Sequence, residues 1–247
     1  MTFGNRHEHK FLLPEAQALR ALERVAGLLE PDRHAATKPG HSYPIASLYL
    51  DSPTDQLRGE TLSGLCDRFK LRIRTYDDQP QSPLFLEIKS RRDRVVLKDR
   101  CALPRDLLPA LLRGEVDALP EMAPRQRHAL DEFLRKMRTR RARPRCTVRY
   151  DRQAYVGRDD PDVRVTIDRR LRTIAETQPR VLIDDPRYRQ VHLHGVVMEI
   201  KFTDRCPAWL AEAVRALGLS RRSFSKYATC AAALFAPAAL PDRQEGR

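Results

Sequence analysis

The sequence predicts an α+β protein: an antiparallel β-barrel whose interior forms a charged tunnel, with helices packed around the outside. Three observations predict it. Several strand-like segments alternate charge with grease: Arg6-His7-Glu8-His9-Lys10, Lys70-Leu71-Arg72-Ile73-Arg74, Leu86-Glu87-Ile88-Lys89, Arg164-Val165-Thr166-Ile167-Asp168 and Met198-Glu199-Ile200-Lys201-Phe202. Successive side chains of an extended strand point to opposite faces, so Lys70, Arg72 and Arg74 share one side while Leu71 and Ile73 share the other. These segments are bounded by large apolar residues rather than turn formers, as core strands are. Leucine-rich helical stripes lie between them and need an apolar sheet face to cover. If the apolar faces turn outward onto those helices, the charged faces line the lumen.

The elements follow in order. A first strand over 5–12 gives way at Pro14, which suits a first helical turn, and Leu19, Leu22, Val25 and Leu29 then recur at helical spacing up to Glu30-Pro31. A polar loop through Gly40 precedes a strand over 45–50, closed by the turn signal Asp51-Ser52-Pro53. Strands over 66–76 and 84–90 carry Arg72/Arg74 and Glu87/Lys89, and 95–103 forms a hairpin with the latter across Arg91-Arg92-Asp93-Arg94. Helices start at Pro104 and Pro124, burying Leu107, Leu108 and Leu111, then Leu130, Phe133, Leu134 and Met137. Strands return over 145–157, 162–168 and 195–203, and a helix from Pro207 to Leu217 stops at Gly218. The last element runs over 223–235. Residues 1–236 read as one tunnel domain and 237–247 as a flexible tail.

Composition narrows the partners. A chain of 247 residues that is 41% hydrophobic supports one domain with a real core, and its net charge of +13 favours a polyanionic partner. Nucleic acid loses ground because basic residues are not interleaved with base-stacking aromatics; Tyr49, Tyr150 and Tyr227 read as packing residues. The five cysteines are scattered and never form a C-x-x-C pair, which argues against disulfides or zinc and for a reducing compartment. Neither an apolar leader nor a membrane-length run is evident, so the expected location is cytoplasmic, peripheral to a membrane only through a partner.

Eight motifs then appear in one order: Arg6-x-Glu8-x-Lys10, Tyr49-Leu50-Asp51, Lys70-x-Arg72-x-Arg74, Phe85-Leu86-Glu87-Ile88-Lys89, Tyr150-Asp151-Arg152, Arg164-Val165-Thr166-Ile167-Asp168, Met198-Glu199-Ile200-Lys201 and Phe224-Ser225-Lys226-Tyr227. Together they resemble the VTC domain, the catalytic module of the vacuolar transporter chaperone polyphosphate polymerase, in the triphosphate tunnel metalloenzyme superfamily. The related CYTH-type triphosphatases and adenylate cyclases open with Glu-x-Glu-x-Lys; Arg6 at the first position resembles the polymerase branch. Where that branch reads Lys-Phe-Ser-Lys, this chain has Ser223-Phe224-Ser225-Lys226, so one tunnel lysine is missing and Arg221 or Arg222 is the nearest replacement.

The resemblance implies roles residue by residue. Lys226, Arg72, Arg74 and Ser225 are the expected catalytic groups, and Lys10, Lys89, Lys98, Arg152, Arg164 and Lys201 the expected phosphate contacts. Glu199 is the expected ligand of a divalent metal, Mn or Mg, with Glu8 and Glu87 as further ligands or as partners of lumen lysines. Arginine forks grip phosphate bidentately and lysines act as mobile point charges, so the mixture suits a polyphosphate chain. The competing reading is of exposed salt bridges on a solvated sheet face, but several strands would then waste their charged faces together. Three functions follow in order: an ATP-dependent polyphosphate polymerase with ATP and inorganic polyphosphate as partners, together with a membrane partner for export; a triphosphatase using water as acceptor; and a non-catalytic polyanion-binding module.

Overall fold

The computed structural model describes residues 6–93, 95–115 and 119–235. The expected tail, Arg94 of the predicted turn and the side chain of Arg6 lie outside these residues. The described strands are β1 (Arg6–Leu13), β2 (Leu29–Pro31), β3 (Ser42–Asp51), β4 (Arg68–Thr75), β5 (Leu84–Arg92), β6 (Val95–Leu103), β7 (Arg143–Gly157), β8 (Arg164–Ala175), β9 (Arg189–Gln190) and β10 (Val196–Thr203). The α-helices are α1 (Glu15–Val25), α2 (Gln56–Leu62), α3 (Leu108–Arg113), α4 (Pro124–Thr139), α5 (Ala208–Ala216) and α6 (Lys226–Phe235).

All ladders are antiparallel, in the order β1-β10-β8-β7-β3-β4-β5-β6, with β2 added to β7 and β9 to β8. The sheet curls far enough to bring Lys89 of β5 to 2.8 Å from Glu8 of β1, although these strands stand near opposite ends of the ladder order. The expected barrel is nonetheless not closed by hydrogen bonds. β1 and β6 approach each other without pairing among the described residues, and a cavity opens along this seam between Glu8, Lys10 and Val96.

Period-2 patterning sorts the two faces as expected. On the outer face Leu71, Ile73, Leu86, Ile88 and Cys101 pack against Leu108, Leu130 and Phe133 of α3 and α4. Farther round, Phe11, Val165, Ile167, Met198 and Ile200 pack against Val25 and Leu210 of α1 and α5. Proline opens these helices well: Pro14 and Pro207 precede α1 and α5 with φ of -53° and -53°, and Pro124 starts α4, where a missing N–H costs nothing.

The inner face is not charged throughout. Ile45, Tyr49, Cys146, Val148, Tyr150 and Leu171 form an apolar floor there, and α6 lies on it through Tyr227, Cys230 and Ala231. Only the remainder of the inner face is charged. Three boundaries also shift, and one helix is added. α1 ends at Val25, and Leu29 belongs to β2, paired with Gly157. α2 was not expected. β8 extends to Ala175 across a bulge opposite Arg149 and Asp151. α6 starts at Lys226, leaving 223–225 outside the helix.

Candidate active site

Strand pairing sets the inner charges against each other in register. Arg72 lies opposite Glu87 and Lys89 opposite Lys98, while across the seam side Lys10 lies opposite Glu199 and Glu8 opposite Lys201. Two buried clusters result. Glu87 is fully buried; it accepts from Arg72 Nε at 2.8 Å and faces Lys98 Nζ at 2.7 Å, with Arg74 at 3.9 Å and Arg100 at 3.5 Å. Burial works to neutralise this carboxyl, but Arg72, Arg74 and Lys98 outweigh it and hold it ionised far below the usual carboxylate range.

The second cluster centres on Lys226 at the N-terminus of α6. Its Nζ lies 2.5 Å from Asp168 Oδ2 and 2.9 Å from Glu199 Oε1. Arg152 forks onto Asp168 at 2.6 and 2.7 Å and reaches Glu199 at 3.7 Å, and Lys201 lies 3.1 Å from Glu199. Burial disfavours the Lys226 ammonium, yet Asp168 and Glu199 raise it well above the ordinary lysine range. Burial likewise opposes the Glu199 charge, and Lys226, Lys201 and Lys10 override it. Tyr150 bridges the clusters: its hydroxyl accepts from Arg74 at 3.4 Å, and Lys226 sits 5.0 Å above its ring.

Beside these clusters a cavity of about 590 Å³ opens to solvent. Lys10, Lys70, Lys89, Arg68, Arg91, Arg221 and Arg222 line it against one carboxylate, Glu8. Glu8 is held by Lys89 at 2.8 Å and Lys10 at 3.5 Å; burial would raise its carboxyl, but these lysines keep it well below the usual range. Among the described residues Lys70 has no such carboxylate partner, and it donates to Ser225 Oγ at 3.0 Å. Burial, then repulsion from Lys10 and Lys89, push Lys70 down to about 7, and burial takes Lys89 to about 8 despite Glu8. A concave site whose lysines are disfavoured as cations is poised for an anion that would favour their charged forms.

The expected site residues therefore fall into three groups. Lys226, Arg72, Arg74, Arg152, Glu87, Glu199 and Lys201 come together in the two clusters. Lys10, Lys89, Glu8 and Ser225 line the mouth. Lys98, expected as a phosphate contact, sits on Glu87 instead, where burial lowers it to about 8 despite that partner. Arg164 is drawn away to Asp32, at 2.6 Å. Ser225 Oγ accepts from Ala228 N–H at 3.3 Å, so the hydroxyl caps α6 besides receiving Lys70. Sequence reasoning passed over Lys70 and Asp168 as site residues. Lys70 begins the Lys-x-Arg-x-Arg run, and Asp168 ends the Arg164-x-x-x-Asp168 strand on the charged side, so period 2 was the signal for both.

The carboxylates do not make a cation cage. Among the described residues no three His, Cys, Asp or Glu side chains converge, and Glu8, Glu87 and Glu199 are each engaged by basic side chains. Glu8 and Glu199 lie on paired strands near enough to repel each other, a donor set that suits a hard cation arriving with phosphate oxygens rather than one held by protein alone.

A family model, the VTC domain, matches residues 5–235. The chain belongs to the VTC-domain family. Its fold is similar to solved structures of low identity: an adenylate cyclase candidate from Bacillus halodurans (13% identity, TM-score 0.49, 88% of this chain and 94% of that one) and an adenylyl cyclase candidate from Hippeastrum described as having a dominant triphosphatase activity (17%, 0.49, 94% and 98%). A Pyrococcus horikoshii protein is also similar (14%, 0.43, 90% and 96%). No curated protein sequence matches the chain. No helix among the described residues is long and apolar enough to cross a membrane.

Proposed function

We propose that this VTC-family domain is an ATP-dependent polyphosphate polymerase, transferring the terminal phosphoryl group of ATP to a growing inorganic polyphosphate chain and releasing ADP. One observation carries the reading: the basic mouth continues beyond the buried Lys226–Arg72–Arg74 region, so cationic side chains extend past the transfer site. Hydrolysis of a short substrate needs only the cluster, whereas a polymerase must also hold the chain it lengthens.

The chemistry needs positioning and charge stabilisation more than a covalent nucleophile. Arg72 and Arg74 supply planar forks for the phosphoryl oxygens, and Lys226 supplies a buried charge for the leaving or attacking oxygen. Their resting partners Glu87, Asp168 and Glu199 keep these cations charged and pointed inward before substrate arrives. Glu199 and Glu8 are the carboxylates that would share a divalent ion with the substrate, and the ion would neutralise charge between phosphates. Lys10, Lys70 and Lys89 then track the chain at the mouth.

A specific feature favours the shorter-substrate reading: Ser223 lines the mouth where the family's lysine is expected, removing one cation from the path. Arg221 and Arg222 line the same cavity and restore the charge. Incubating the pure protein with ATP and Mn²⁺ and resolving the products by gel separates the readings: a long anionic ladder for the polymerase, free phosphate alone for the hydrolase.

A further inference from the structure

Two residues outside the charged clusters join them. Tyr227 follows Lys226 at the start of α6, and its ring is almost completely buried. It stacks on Tyr49, with centroids 4.7 Å apart and planes 13° from parallel. The hydroxyl of Tyr49 accepts from Arg72 Nη1 at 3.4 Å. The hydroxyl of Tyr227 donates to Asp51 Oδ2 at 2.5 Å.

Asp51 is itself fixed. It is 2% exposed, and its oxygens also accept from the backbone N–H groups of Ser52 (2.7 Å), Leu57 (2.8 Å) and Arg58 (2.9 Å). The carboxylate is thus tied to the first turn of α2 and cannot follow α6 if the helix slides. A buried acid saturated by four donors, one of them the residue next to the central lysine, is a clamp rather than a binding group.

We infer that the Asp51–Tyr227 hydrogen bond, with the Tyr227–Tyr49 stack, is a positioning device that holds Lys226 of α6 in register with Arg72 of β4. The inference deepens the phosphoryl-transfer reading and rests on it. Without the hydroxyl tether, α6 still packs through its apolar face but is free to shift along the sheet floor, and Lys226 loses its placement against the phosphate that Arg72 holds. Misplacement of about 1 Å in such a site costs roughly a hundredfold in rate.

The test is Tyr227→Phe, which keeps the ring and removes only the tether, with Asp51→Asn as a second variant and Leu210→Ala, in the distant outer core, as a control for general destabilisation. Expected for Tyr227→Phe is a fall in kcat of roughly tenfold to a hundredfold, with KM for ATP and tripolyphosphate affinity at the mouth within about twofold of wild type. A shifted or broadened ¹⁵Nζ NMR signal of Lys226, assigned by its loss in Lys226→Arg, should accompany it. Leu210→Ala should show neither change at matched thermal stability. Wild-type kcat with an unmoved Lys226 signal in both clamp variants would overturn the inference, as would an equal loss in Leu210→Ala. If wild-type protein transfers no phosphoryl group, the functional reading fails, and the Lys226 signal alone still decides the clamp.

Discussion

Lys226 Nζ lies 2.9 Å from Glu199 Oε1 and 2.5 Å from Asp168, so α6 delivers one buried ammonium to two buried carboxylates on neighbouring strands. The arrangement separates what each partner does. Removing the cation leaves two carboxylates facing Arg152 and Lys201, whereas removing one carboxylate leaves the lysine still paired.

Lys226→Ala should therefore abolish ATP-dependent polymer synthesis. Loss of a charge-assisted contact to the transferred phosphate costs about 2–4 kcal/mol of transition-state stabilisation, roughly thirty-fold to nearly a thousand-fold in rate. Steady-state ADP release measures it. A variant that kept at least a third of the wild-type rate would remove Lys226 from the transfer step.

Glu87 offers a stability test. It is 0% exposed and faces Arg72, Arg74, Lys98 and Arg100. Glu87→Gln keeps the shape but leaves buried cations uncompensated, so unfolding free energy should fall by about 3–5 kcal/mol, read by chemical denaturation. Glu199→Gln should cost less stability than Glu87→Gln, because Asp168 still neutralises Lys226.

The mouth lysines make binding pH-dependent. With Lys70 lowered to about 7 and Lys89 to about 8, both are partly neutral in the free protein near pH 8. Bound polyphosphate favours their charged forms, so binding takes up protons there. Tripolyphosphate affinity should be full below about pH 7 and weaken as pH rises through 8 to 9. Calorimetry in buffers of different ionisation enthalpy reads the uptake, which should shrink in Lys70→Ala. The buried acids give stability the opposite sign: Glu8, Glu87, Glu199 and Asp168 are all held below their ordinary values, so their contribution is present above about pH 4 and lost as pH falls further.

Chain holding separates from chemistry at the mouth. Lys70 faces the cavity without a carboxylate partner among the described residues, whereas Lys98 is committed to Glu87. Lys70→Ala should shorten the polymer while ADP release falls less than about threefold, a small share of the transfer barrier. Lys98→Ala should lower both together by disturbing Arg72 through Glu87. Product length on a gel beside the ADP rate distinguishes them.

Much of this was legible in the sequence, and the legible part has one cause. Side chains alternate in a strand whatever its neighbours are, so Arg72, Arg74, Glu87, Lys89 and Glu199 could be placed on one face and Leu71, Ile73 and Ile88 on the other. What alternation cannot say is which inner positions stay apolar. Ala228, Cys230 and Ala231 form a small-residue helix that fits against a sheet, and nothing local shows that the sheet's inner side receives it. Partners distant in sequence were equally hidden: Arg164 goes to Asp32 across 132 positions and Lys70 to Ser225 across 155. The seven-residue α2 is too short to carry a helical period, and its start depends on Asp51, which reads locally as a turn residue.

A cation shared between Glu8, Glu199 and substrate oxygens would bind in dependence on phosphate. Titrating Mn²⁺ into the protein alone should give weak binding by its paramagnetic resonance signal, and adding tripolyphosphate should tighten it by at least about tenfold, because substrate oxygens complete the coordination. Tight binding without phosphate would mean that Glu8, Glu87 or Glu199 leaves its basic partners to build a site unaided.

The proposed reaction moves the terminal phosphoryl group of ATP onto a growing chain. Pure protein supplied with Mn²⁺ and ATP labelled in its terminal phosphate tests it most directly. Expected is label in a long, acid-labile anionic polymer, with ADP released in step and no polymer from Lys226→Ala. Label found only in free orthophosphate, or ATP left unconsumed, would contradict it.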